Sequence, residues 1–91
     1  MVTSSLMAIS PAQCRAARGF LGWSQEQLAE KAGVAIVTVN QFEAGKSASR
    51  RATVEVIRLA LEAAGLSFLD ADSNGGPGVR LRQADPRHGG A

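Results

Sequence analysis

Between Ser10 and Ala64 apolar residues recur at intervals of three and four, and from Leu66 onward they alternate. The first pattern predicts helices with one buried face, and the second predicts strands. Ser10-Pro11-Ala12-Gln13 opens a helix. It supplies a serine cap, a proline at the first helical position, and a glutamine three after the cap that can reach back to the cap amide. Cys14, Ala17, Arg18 and Leu21 follow at helical spacing, and Gly22 ends the helix. Ser24-Gln25-Glu26-Gln27 repeats the capping box, with Trp23 before it and Leu28 within it placed as a hydrophobic staple. Gln25, Leu28, Ala29 and Ala32 share one face of this second helix, and Gly33 stops it.

A third helix is predicted from Ala35 to Glu43, closed by Ala44-Gly45-Lys46. Val39 and Phe42 join Val34 or Ala35 against the core, which leaves Ile36, Val37, Asn40 and Gln41 largely outside that stripe. Two β-branched residues on an outer face are unusual. Ala35 stands at the cap position, where Ser or Thr would be worth roughly 1 kcal/mol more. The fourth helix, Arg51 to Ala64, carries Val54, Ile57, Leu61 and Ala64 on one stripe. Val56, Leu59 and Ala60 widen that stripe enough to cover a second surface as well as a core. Gly65 and Leu66 form a C-cap with its apolar partner.

Beyond it, Leu66, Phe68 and Ala71 alternate, as do Val79, Leu81 and Gln83, around the turn-forming run from Asp72 to Gly78. This pattern predicts a two-stranded β-hairpin of undetermined register, the alternative being an extended segment laid over the helices. The chain thus divides into a flexible N-terminus (1–9), a helical domain (10–66), a hairpin appendage (67–83) and a disordered tail (84–91).

Composition narrows the classes. A chain of 91 residues, 45% apolar and 20% charged, supports a single small domain. With one cysteine and one histidine there is neither a disulfide framework nor a His/Cys metal site. Cys14 is expected to be buried and inert, and His88 a solvent-exposed residue of the tail rather than a ligand. The sequence contains no long apolar run and no secretory leader pattern, so a cytoplasmic protein without a membrane span is expected. It also contains no carboxylate pair, Ser–His–Asp set or phosphate-binding loop; Gly75-Gly76-Pro77-Gly78 is followed by no P-loop Lys and Ser/Thr. An enzyme is therefore not expected, and no cofactor.

The formal charge of +2 is uneven. Up to Asp72, the bases Arg15, Arg18, Lys31, Lys46, Arg50, Arg51 and Arg58 balance Glu26, Glu30, Glu43, Glu55, Glu62, Asp70 and Asp72. The excess lies in Arg80, Arg82 and Arg87 against Asp85. Within the balanced part, Lys46, Arg50, Arg51 and Arg58 cluster around Glu55 alone, either as a solvated loop and helix start or as a phosphate-facing patch.

Short helices joined by a glycine-containing turn predict a compact all-α bundle with a helix-turn-helix. The stretch Arg18-x-x-Leu21-Gly22-Trp23-Ser24-Gln25-x-x-Leu28-Ala29-x-x-Ala32-Gly33-Val34, followed by Val39-x-x-Phe42-Glu43-x-Gly45, resembles the lambda-repressor-like, Cro/C1-type (XRE) helix-turn-helix family. The resemblance covers residues 11 to 66 and rests on many positions, each weakly specific, in one register. It implies a four- to five-helix lambda-repressor-like bundle, here with the C-terminal hairpin added. By the same resemblance, Gln25 meets a DNA phosphate through its side chain and backbone amide, and Lys46 and Arg50 contact phosphates from the loop after the third helix. Ala35, Ile36, Val37, Asn40 and Gln41 fall on recognition-helix positions that approach base edges. Arg18 and Glu43 match a structural ion pair between the first helix and the end of the third.

The chain departs from the family by placing Ala35, Ile36 and Val37 where polar readers are common. Apolar contact with thymine methyls is the chemistry they offer, with Thr38, Asn40 and Gln41 as the polar complement. The function implied is a sequence-specific DNA-binding transcriptional regulator acting on operator DNA as a homodimer. The alternative is an antitoxin-like or other protein-binding module of a toxin–antitoxin system. There, Ile36 and Val37 would face a protein and the hairpin arginines an acidic partner.

Overall fold

The computed structural model describes residues 8–46 and 50–83. The expectations for residues 1–7 and 84–91, His88 included, lie outside the described residues, as do positions 47–49 of the basic segment.

Four helices are followed by a hairpin. Helix α1 (Pro11–Leu21) and helix α2 (Gln25–Ala32) both begin in complete capping boxes. In each, the serine hydroxyl accepts from the backbone N–H three residues on, while that residue's glutamine side chain accepts from the serine amide. Each closes on a glycine in the left-handed region, Gly22 at φ 69° and Gly33 at φ 72°, where a side chain would be strained. Helix α3 (Ile36–Glu43) starts at Ala35 with no side-chain cap. Helix α4 (Arg51–Ala63) starts at Arg50, also without one. Strands β1 (Leu66–Leu69) and β2 (Gly78–Leu81) pair antiparallel with Leu66 opposite Leu81 and Phe68 opposite Val79, which sets the register and excludes the extended-segment alternative. Their connection is tightened by an isolated bridge between Asp72 and Gly75 and by Asn74 N–H donating to Asp72 Oδ1 at 2.8 Å.

The core draws on every element. Ile9, Cys14, Ala17, Leu28, Ala29, Val39, Phe42, Val54, Ile57, Leu61 and Leu66 are buried together. Val34 packs against them, whereas Ala35 is exposed. Trp23 packs half-buried at the start of α2, with the Lys31 ammonium 5.8 Å from its ring centroid. The hairpin lies against α1. Gln13, whose Oε1 accepts the Ser10 amide, donates through Nε2 to Gly78 O at 2.9 Å and Leu69 O at 3.3 Å. One glutamine therefore caps its own helix and ties both strands to it.

The uncapped start of α3 leaves orphan amides facing water. Ala35→Ser supplies an acceptor there, and the expected outcome is a gain of about 1 kcal/mol, read as a higher denaturation midpoint with an unchanged slope. A lower midpoint would show that the Ala35 backbone does not hold a cap geometry.

Candidate nucleic-acid interface

Helices α2 and α3 meet across the turn Gly33-Val34-Ala35 and pack through Leu28, Ala29, Val39 and Phe42. With Val39 and Phe42 turned inward, the opposite side of α3 is left to solvent. Ala35, Ile36, Val37, Asn40 and Gln41 are all exposed, Ile36 at 46% and Val37 at 52%. Thr38 is half-buried. Two large apolar side chains this exposed on one short helix are unfavourable in water unless something covers them.

Behind that face lies a buried polar network. Glu43, only 4% exposed, ends α3 inside the bundle. Arg18 grips its carboxylate with two bonds of 2.8 Å, from Nε to Oε2 and from Nη2 to Oε1. Cys14 Sγ donates to Oε2 at 3.1 Å and Gln25 Nε2 donates to Oε1 at 2.9 Å. Burial pushes the Glu43 carboxyl up, but the hydrogen bonds from Arg18, Gln25 and Cys14 outweigh it and hold the group below its ordinary value. Burial pushes the Cys14 thiol far up, and its bond to Glu43 adds to this, so the sulfur keeps its proton and acts as a donor. Arg15 donates from Nη1 to the Glu43 carbonyl, satisfying an acceptor at the C-terminal end of α3 that the helix itself cannot.

Gln25 sits half-buried at the first position of α2, and its side chain spans two partners. Its Nε2 binds Glu43, and its Oε1 accepts from Asn40 Nδ2. The side chain that the family resemblance assigns to a phosphate is thus engaged inside the protein. The backbone N–H of Gln25 belongs to the helix-start amides that lack an intrahelical partner and favour an anion. Lys46 and Arg50 are both exposed and lie between α3 and α4 in the sequence.

The basic cluster expected from Lys46 to Arg58 does not extend to Arg58 on the outer surface. Arg58 is 8% exposed and is held on both sides by its own helix. Its Nη1 bonds Glu62 Oε2 at 2.7 Å, and its Nε and Nη2 bond Glu55. Acids at three before and four after a buried base neutralise it locally, so Arg58 does not face a phosphate. The Arg58 bond, reinforced by the charges of Arg58 and Arg51, holds the Glu55 carboxyl below its ordinary value. The outward basicity of this segment narrows to its N-terminal end.

Gln13, Arg15 and Arg58 are the residues whose parts the sequence reading missed. For Arg58 a signal was present in Glu55 and Glu62, at ion-pair spacing on one helix. For Gln13 and Arg15 none was, because their partners lie 56 to 65 and 28 residues away. Among the described residues no group of His, Cys, Asp or Glu is arranged to hold a metal ion, and no helix is long and apolar enough to cross a membrane.

The sequence profile of a family described as helix-turn-helix matches residues 15–70, from within α1 to just past β1. No curated protein matches the chain.

Proposed function

Since the chain belongs to the Cro/C1-type helix-turn-helix family, and is by that membership a DNA-binding transcriptional regulator, we propose that it binds operator DNA in the cytoplasm as a homodimer, with α3 in the major groove. The observation that carries this reading is the exposed face of α3. Ala35, Ile36 and Val37 offer methyl groups at its N-terminal end, and Asn40 and Gln41 offer amides one turn further on. Methyls suit thymine C5-methyl groups, and amides suit adenine edges. The helix-start amides of α2, with Lys46 and Arg50, supply sequence-independent phosphate contacts.

One module reaches few phosphates, so useful affinity calls for a second copy on an adjacent half-site. The outer side of α4 supports a second copy as the partner. Ala52, Val56, Leu59 and Ala63 are all exposed and follow the alternating four- and three-residue spacing of a helix–helix seam.

Titration of labelled duplexes from upstream regions at two salt concentrations tests the reading, with two chains bound per operator and affinity falling as salt rises. Gln41→Ala is expected to weaken operator binding by roughly 5- to 150-fold with little change on random duplex. Lys46→Ala is expected to weaken both about equally and to flatten the salt dependence by about one counterion. Equal losses from Gln41→Ala on operator and random DNA would remove Gln41 from base reading. Binding without salt dependence, or none to any duplex, would overturn the proposal.

A further inference from the structure

We infer that two copies of the chain pair through α4 in antiparallel fashion, with Val56 of one copy against Leu59 of the other and Ala52 against Ala63. This pairing rests on the proposed homodimer and goes beyond it in fixing the direction and register of the seam.

Ala52, Val56, Leu59 and Ala63 share one stripe of α4, opposite the stripe of Val54, Ile57 and Leu61 that enters the core. Val56 is 39% exposed and Leu59 50%, and the alanines at either end are exposed as well. The order small, large, large, small reads the same in both directions. An antiparallel copy centred between Ile57 and Arg58 therefore sets large against large in the middle and small against small at both ends. Such a seam is isologous: one patch serves both copies, and the contact closes at two.

A parallel, in-register pair would match sizes equally well, and the charges of α4 decide against it. A helix is positive at its N-terminus and negative at its C-terminus, so acids suit the first and bases the second. In α4 this is reversed. Arg50 and Arg51 open it with no side-chain cap and no acid in the first turn, and it closes with Glu62 and no base in the last turn. A parallel copy would double both mismatches, gathering four arginines at one end and two Glu62 carboxylates at the other. An antiparallel copy offsets both. It lays the arginines of each copy beside the carbonyl end of the other, with Arg51 and Glu62 of opposite copies about 3 Å apart along the axis. The charge of Arg51 already acts on Glu55 within its own helix, so in the pair it serves an acid of each copy.

The buried Arg58 has a role in the same arrangement. Glu55 and Glu62 border the stripe on one side, and an antiparallel two-fold pair brings that border against its own copy. Bare carboxylates there would repel one another. Arg58, bonded to both acids, leaves the border of each copy neutral, with Arg51 and Arg58 against Glu55 and Glu62. The other border, Thr53 and Ala60, carries no charge.

Disulfide trapping tests the register. Facing alanines on helices packed about 8 to 10 Å apart lie within reach of a bridge, and Cys14 is fully buried and takes no part. Chains carrying Ala52→Cys or Ala63→Cys are shown folded by melting curves, then oxidised separately and as an equal mixture. Both conditions are used: free chain at millimolar concentration, and chain on duplex that the wild type retains from a randomised pool. The mixture is expected to give a covalent dimer joining position 52 of one copy to position 63 of the other. Each chain alone is expected to give none beyond the wild-type background. Leu59→Glu, checked for folding in the same way, is expected to bring one chain instead of two to each duplex.

A link formed by Ala52→Cys alone would overturn the inference in favour of a parallel pair. No link in the mixture while two chains occupy each duplex would overturn it by placing the dimer surface elsewhere, as would two chains of Leu59→Glu per duplex. Each of these leaves the reading of DNA by α3 standing. A wild type that retains no duplex would overturn that reading, whereas the link in the free mixture would still establish the seam; no link there either would overturn both.

Discussion

Arg18→Ala is expected to lower the stability of the fold by about 3 kcal/mol, near the low end for a broken buried pair because the Arg18 side chain is 20% exposed while that of Glu43 is 3%. The loss comes from stranding Glu43 rather than from the bare attraction of the pair. A carboxylate sealed among α1, α2 and α3 would keep only the bonds from Cys14 and Gln25. In a domain of this size, the fall in melting temperature is expected to exceed ~10 °C.

The effect should depend on pH with a definite sign. The Glu43 carboxyl of the wild type lies below its ordinary value, so its contribution is fully present above the unfolded carboxylate range, near ~4.3, and is lost as pH falls through the depressed folded value. Without Arg18, its hydrogen bonds and charge no longer offset burial, so the carboxyl of the variant titrates higher than that of the wild type and acid relieves the stranded charge. The gap between wild type and Arg18→Ala should therefore narrow from pH 7 to pH 3. Melting curves at the two pH values check this; a gap that stays constant would show that the pair does not dominate Glu43.

Leu66→Ala should cost about 3 kcal/mol, within the usual range for deleting a fully buried leucine. Leu66 has no exposed surface, opens β1 directly after α4, and lies opposite Leu81. It joins the hairpin to the same core that orients α2 and α3. The helical circular-dichroism transition should therefore shift to lower denaturant, with amide exchange of Phe68 and Val79 accelerating in step with that of Leu28 and Val39. A helical transition that stayed put while only the hairpin amides accelerated would mean that the hairpin opens independently of the bundle.

The helices were legible because their signals are local. Ser10 with Gln13 and Ser24 with Gln27 lie three residues apart, within reach of any chain that begins a helix there. Gly22 and Gly33 stop helices through their own backbone freedom. The outward set of α3 was legible for a related reason: once Val39 and Phe42 point inward, a helical period leaves Ile36, Val37, Asn40 and Gln41 on the other side. Arg58 does not belong with the outward bases, because Glu55 and Glu62 stand about one turn away on the same helix and take its charge.

What the sequence alone determined about this protein is its set of helices, their caps and stops, the alternation of the hairpin, and the face of α3 that is left to solvent. All of these follow from interactions within about one turn of helix or one pleat of strand. The tertiary structure alone decided the strand register, the pinning of both strands by Gln13, and the direction in which the Asn40 amide faces. Those depend on pairings between residues 9 to 65 positions apart. A donor and an acceptor that far apart in the chain meet only after the core has packed. Their directionality then propagates from a buried carboxylate to the surface in a way that no local pattern of polar and apolar residues encodes.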